Sequence, residues 1–273
     1  VSVALLFKVA AAPFHMWSPD VYEGAPTPVT AFFSIVPKIA VLSLLIKLFF
    51  YTFYDLINFW QPLFLYCGIL SMIIGSIGAL YQRKIKRLMA YSGIANVGYM
   101  LAGFAGGSIE SLTGLLFYLI VYVVMMIAFF AFVLGTQSEK SSKMNMQISD
   151  LKNLGKVNPA LGFAVTLILF SMVGLPPFMG FFAKFYLFLA MVQSEFYIVA
   201  IIGVLSSVVA AFYYIRIIKL IFFESQKTYS FYKRVAKENA YILSFTLFFL
   251  SFGFLYPHPF LFCIHKIGLE ITL

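Results

Sequence analysis

VNPALGFAVTLILFSMVGLPPFMGFFAKFYLFLAMVQ, residues 157–193, is apolar almost throughout and is interrupted by Gly174-Leu175-Pro176-Pro177. As one straight helix it would reach about 55 Å, well beyond a bilayer core of about 30 Å. The stretch therefore crosses a membrane twice, or once as a broken helix. Charge placement chooses between the two. Arg83, Lys84, Lys86 and Arg87 form one basic connection; Lys140, Lys143, Lys152 and Lys156 form a second; Lys219, Lys227, Lys233, Arg234 and Lys237 form a third. A single crossing puts all three on one side and leaves Asp55, Glu110 and Glu195 on the other. A double crossing breaks this asymmetry, so the positive-inside tendency predicts one crossing, broken at the double proline. The segment 18–27 fits less well, because it falls on the basic side yet carries Asp20 and Glu23 and no cation.

Outward from this stretch the same pattern recurs. Apolar runs cover 1–17, 28–51, 60–81, 88–107, 111–135, 196–223 and 240–263, which with 157–193 makes eight spans. The longest polar segment, 136–156, reads as a loop or surface helix. Apolar residues make up 62% of the 273-residue chain and charged residues 11%. A soluble domain carries about 25% charged residues, so the solvent here is lipid. The runs do not alternate as barrel strands do, and the fold class is an all-α polytopic membrane protein. The net charge of +9 follows from the basic connections and gives no reason to expect nucleic acid. Cys67 and Cys263 lie in apolar runs without metal-ligand spacing and read as small core hydrophobes. The chain starts at Val1, already apolar and without signal-peptide zoning, which suggests the later part of a longer or split subunit. Ser71, Gly75 and Ala79, spaced by four, form a stripe suited to close helix approach.

Three charges lie inside spans: Lys8, Lys38 and Lys184. A lysine at the bilayer centre costs at least about 2.5–3.5 kcal/mol. Snorkelling to the interface explains Lys47 and Lys219 near span ends. It explains Lys38 less well and Lys184 poorly, since Phe181, Phe182, Phe185 and Tyr186 extend the apolar run around it. The depth of Lys8 is ambiguous. Desolvation moves a lysine's proton affinity toward neutrality from an ordinary pKa of about 10.4, which arginine does not allow. Lys8 precedes Pro13, and Lys184 follows Pro176 and Pro177. Broken membrane helices recur at transporter ion sites, so a proton relay is the chemistry these lysines point to. His15 reads as a loop or interfacial histidine, with relay the lesser alternative. Asn96 and Tyr99 sit mid-span and are candidates for water contacts, with packing as the default. His258 and His265 read as interfacial. The many Phe and Tyr residues read as lipid-facing or packing. The sequence has no nucleotide loop, metal cluster, haem or iron–sulfur ligand set, or nucleophile–base arrangement.

Three motifs carry a resemblance. FKVAAAPFHMWSPDVYEGAPTPVTA (7–31), LMAYSGIANVGY (88–99) and GLPPFMGFFAKFY (174–186) resemble, in order, those of the antiporter-like subunit 2 family of respiratory NADH:ubiquinone oxidoreductase, complex I. Val36-Pro37-Lys38-Ile39 looks more like its mitochondrial members, which implies the mitochondrial inner membrane. The resemblance implies a Mrp antiporter-like fold of fourteen helices in two inverted repeats, with the seventh and twelfth broken. This chain would carry helices seven to fourteen and lack the first six. Residues 1–51 would close the first repeat, 60–223 would form the second, and 240–263 would be the terminal helix. Lys8, Lys38 and Lys184 match the family's proton-relay lysines, and Pro13, Gly174, Pro176 and Pro177 its helix breaks. The expected function is proton translocation, coupled to NADH oxidation and quinone reduction elsewhere in the complex. No cofactor would be bound here; NADH, flavin, iron–sulfur clusters and ubiquinone belong to other subunits. The expected partners are other membrane-arm subunits, membrane lipids and a separate polypeptide. That polypeptide would supply the first six helices and the glutamate that partners the first lysine. Asn96 stands where many relatives carry histidine, so water would carry protons past that point. The alternatives are a subunit of a cation/proton antiporter or membrane hydrogenase of the same fold, and a non-pumping scaffold.

Overall fold

The computed structural model describes residues 1–136, 147–224 and 236–272, and among them every regular element is helical. Lys140, Lys143, Lys227, Lys233 and Arg234 lie outside the described residues. The first crossing is broken. α1 (Ser2–Val9) stops at Ala10, whose φ of 63° is left-handed, and α2 (Trp17–Gly24) resumes beyond Pro13. A proline cannot donate to a helix ladder, so the break needs other partners. The Ala12 amide donates to Ser71 Oγ at 2.8 Å, and Trp17 Nε1 donates to the Phe7 carbonyl at 2.9 Å. Residues 18–27, which lie between the first two apolar runs of the sequence, are mostly helix, and Pro19 falls in the first turn, where the ring is tolerated.

α3 (Thr27–Ile46) follows, with Pro37 in its interior, and continues as a π-helical turn over Lys47–Thr52. Pro37 leaves the Phe33 carbonyl without its ladder donor, and the Tyr22 hydroxyl donates to it at 3.3 Å. α4 (Ile57–Leu80) and α5 (Ile85–Ala105) pack with backbones almost touching. A Cβ on Gly75 would lie 2.5 Å from the Ala95 amide nitrogen, and one on Gly98 2.7 Å from that of Met72. The stripe containing Gly75 therefore does what its spacing predicts. α6 (Ile109–Gly135) starts from a capping box between Ser108 and Ser111 and is buried along most of its length.

Residues 147–157 form a short 3₁₀ turn, Ile148–Leu151, and then α7 (Leu154–Val157). α8 (Pro159–Val173) and α9 (Met179–Gln193) make the second broken crossing, parted at Gly174 (φ 86°). α10 (Tyr197–Phe222) returns. α11 (Lys237–Phe252) ends in a 3₁₀ turn at Leu255, and α12 (His258–Thr272) is separate. The span expected to run unbroken over 240–263 stops there because Pro257 cannot continue it and restricts the residue before it. Cys263 is consequently exposed on α12, not a core residue, whereas Cys67 is buried. His258 and His265 are also exposed on α12. Among the described residues that gives six long spans and two broken ones, the eight crossings expected.

The two ends of the bundle settle the crossing of 157–193. At one end, the Ile148 amide donates to the Arg83 carbonyl at 2.9 Å, and Lys152 pairs with Glu224 at 2.9 Å. At the other, Gln61 donates to the Ala105 carbonyl at 2.8 Å, and a Cβ on Gly106 would lie 3.0 Å from Ser194 Oγ. α8 and α9 together therefore cross once. The acidic segment that fitted the charge asymmetry poorly is explained here. Glu23 pairs with Lys84 and with Arg87 (3.1 Å), and Arg87 also reaches Asp20 at 3.3 Å. Lys86, a loop cation by sequence, is buried and donates to the Ala25 carbonyl at 2.7 Å, at the C-terminal end of α2. Cations are favoured at that end of a helix.

Glu23 lies beyond the apolar spans. The Lys84 ammonium holds its carboxyl below the usual range, partial burial opposes this, and Arg87 adds to it. A depressed native pKa gives stability that is present above the unfolded value of about 4.3 and is lost as pH falls through the native one. Glu23→Gln is expected to lower the thermal midpoint at pH 7 by at most about 2–4 °C, as befits a half-exposed cluster. The difference from wild type should vanish in acid, below the ordinary carboxylate range. A difference that persisted there would show that packing, not charge, was lost.

Candidate functional site

Lys38 projects from α3 beside Pro37 and is 4% exposed. Its Nζ donates to Tyr122 Oη of α6 at 2.6 Å and to the Gly93 carbonyl of α5 at 3.4 Å. Tyr122 in turn donates to the Ser34 carbonyl at 3.4 Å, one turn before Lys38. A phenol hydroxyl both donates and accepts. This pocket therefore suits either form of the side chain: an ammonium donates to Tyr122, and a neutral amine accepts from it.

Lys184 sits one turn into α9 and is 6% exposed. Its Nζ donates to the Met172 and Val173 carbonyls at 3.0 and 2.9 Å. These belong to the last turn of α8, where carbonyls lack ladder donors and the helix presents its negative end. The break at Gly174 thus makes the binding site for this amine. A side chain there would crowd it, since a Cβ on Gly174 would lie 3.0 Å from Lys184 Cδ. The amine also lies 5.5 Å from the centre of the Tyr99 ring. Among the described residues, neither Lys38 nor Lys184 forms an ion pair. Their partners are neutral oxygens.

Several buried hydroxyl groups lie on the helices that carry or contact these lysines. Tyr99, Tyr118, Tyr122, Tyr213 and Tyr214 are all buried, and the Tyr122 hydroxyl does more than pack, since it is bonded to Lys38. The Tyr213 and Tyr214 rings pack with their centres 4.5 Å apart. Tyr118 donates to Asn96 Oδ1 at 2.9 Å, and Tyr99 is bonded to Ser206 at 3.0 Å. Gly93, under Lys38, and Tyr99, beside Lys184, are separated by about 9 Å along α5.

The other expected residues fall elsewhere. Lys8, in the last turn of α1, is exposed and is not joined to Lys38 or Lys184. His15, expected in a loop or at the interface, is instead 7% exposed within the first break, and among the described residues its Nδ1 has no hydrogen-bond partner. Ala10, Ala11 and Ala12 at the same break are buried as well. A buried unpaired nitrogen of this kind is where an internal water binds. Among the described residues, no group of His, Cys, Asp and Glu is arranged to hold a metal.

Residues 1–210 match the NADH:quinone oxidoreductase/Mrp antiporter transmembrane family. The chain belongs to that family. NADH-ubiquinone oxidoreductase chain 2 of Marchantia polymorpha is 46% identical over the whole chain, which covers 55% of that relative. NADH-quinone oxidoreductase subunit N of Parvibaculum lavamentivorans is 43% identical over 95% of the chain and 53% of its own length. The chain spans about half the length of the curated relatives it matches. A chain of respiratory complex I from Thermus thermophilus superposes with a TM-score of 0.79 at 30% identity, over 95% of this chain and 56% of that one. A chain of the Mrp complex from Dietzia sp. superposes at 0.86 with 20% identity, over 99% of this chain and 58% of that one, and so shares the fold. The Mrp antiporter-like fold expected from the motifs is the one found.

Proposed function

We propose that this chain forms part of a proton-translocating membrane-arm subunit of NADH:quinone oxidoreductase, in the mitochondrial inner membrane. Lys38 and Lys184 are its relay groups. The observation that carries this is the pair of membrane-buried lysines, each held only by neutral oxygens, with the Tyr122 hydroxyl bonded to Lys38 and the Tyr99 ring beside Lys184. Charge is costly there, so each amine responds to a change in charge nearby by gaining or losing its proton. The hydroxyls and intervening waters pass protons without holding charge. Asn96 contributes a fixed dipole and does not titrate. The chain supplies no redox group; NADH oxidation and quinone reduction occur in other subunits and set the charge that moves the lysines.

Lys8 is the third relay group, completed from outside. An exposed amine facing hydrocarbon is expensive, and Phe7 next to it in sequence and Phe32, Val36 and Ile39 of α3, against which α1 packs, are exposed and apolar. The first six helices of the family cover this face and bring the carboxylate that pairs with Lys8.

The test is the proton-to-electron ratio of the whole complex in proteoliposomes. Lys184→Met is expected to slow the proton transfer through this subunit on the order of a hundredfold, the worth of a positioned acid–base group, and to lower the ratio. Lys184→Arg, which keeps charge but does not release its proton, is expected to do the same. An unchanged ratio in both variants at normal assembly would exclude the relay.

A further inference from the structure

The outer face of α10 joins two cavities of opposite character. At the basic end, about 730 Å³ is bordered by Arg83, Lys152, Arg216, Lys219 and Glu224. Lys152 is taken by Glu224, while among the described residues Arg83, Arg216 and Lys219 form no ion pair. Arg216 is held in place by donating to the Leu80 carbonyl at 3.3 Å. Farther along α10, about 650 Å³ is bordered by Phe181, Phe185, Leu189, Leu205 and Val204, with Lys184 at its edge. Exposed Leu205, Val208, Phe212 and Ile215 line the helix surface between the two at spacings of three and four residues.

We infer that this face binds one anionic phospholipid, its phosphate against Arg83, Arg216 and Lys219 and an acyl chain along α10 into the apolar cavity. Dimensions agree. Arg216 and Leu205 are about 16 Å apart along the helix, half of a core of about 30 Å, which is the depth of one leaflet. Charge agrees as well: four cations border this cavity against one carboxylate, Glu224, an excess that favours an anionic headgroup. A second transmembrane helix fits this face poorly, because helices approach through small residues and this surface is built of Leu, Val, Phe and Ile. Lipid occupancy is independent of whether Lys184 carries protons.

The test uses the intact complex in mild detergent, with a phosphatidylglycerol carrying a photoreactive group near the end of one acyl chain. After illumination and digestion, label is expected on residues 181–205. Arg216→Gln with Lys219→Gln is expected to weaken labelling about 30-fold, the loss of two interfacial cations. Leu205→Trp keeps the charges and fills the cavity, so it should remove the label from Phe185 and Leu189. It serves where the double variant does not assemble. Unlabelled phosphatidylglycerol should compete, and phosphatidylcholine and inorganic phosphate should not. Equal competition by phosphatidylcholine, displacement by phosphate alone, or labelling indifferent to both variants would overturn the assignment. So would a photoreactive residue at position 205 that crosslinks to a neighbouring subunit instead of lipid.

Discussion

Gly180→Val is expected to stop this chain from accumulating in mature complex. Gly180 opens α9 against α8 at the second break, and a Cβ there would run into the backbone carbonyl of Ser171. The Gly180 amide already donates to Ser171 Oγ at 3.3 Å. The obstacle is backbone, which cannot rotate aside as a side chain would, so the two half-helices must separate. Overpacking of this kind costs several kcal/mol, on the order of the largest single-site effects. The displacement also parts Lys184 from the Met172 and Val173 carbonyls. The measurement is the amount of assembled complex on a native gel. Gly24→Ala, where nothing lies within 4 Å of the added carbon, is the control and should assemble normally. Normal assembly of Gly180→Val would mean that α8 and α9 do not meet as described.

The contrast between these two glycines shows what a sequence can carry. The single crossing of 157–193 was legible because charge, length and proline each bear on it locally. The two interior lysines were legible because a charge inside an apolar run has few innocent explanations. Tyr122 was not legible. A tyrosine in an apolar span looks the same whether it packs or bonds a lysine 84 positions away, and only the packing of α3 against α6 decides. Tyr213 and Tyr214 were hidden for the same reason. The acids at 20 and 23 looked misplaced because their partners, Lys84 and Arg87, come from a different connection. His15 looked interfacial because Pro13 marks a break but does not say that the break lies inside the protein. The stop before α12 had its signal in Pro257, outweighed in the sequence by the apolar residues around it.

Gly93→Ala should therefore be unusually informative. Alanine is the better helix former by about 1 kcal/mol, so on propensity alone the change is harmless to α5. Yet the added carbon would lie 2.9 Å from Lys38 Nζ and 3.5 Å from Tyr122 Oη. Nζ is the tip of a flexible side chain, so the amine moves and the helix does not. The complex is expected to assemble in normal amount while the 2.6 Å bond between Lys38 and Tyr122 is lost. A displacement of about 1 Å at a reacting group can cost on the order of a hundredfold, and proton transfer through this subunit should fall by about that much. Tyr122→Phe removes the hydroxyl without moving the amine, leaving Lys38 with the Gly93 carbonyl alone. It should reduce transfer as well, with assembly again preserved. If steric displacement and loss of the hydroxyl act through the same bond, the double variant will be scarcely worse than the more severe single one. Full pumping in both single variants would take Lys38 off the proton path, whatever Lys184 does.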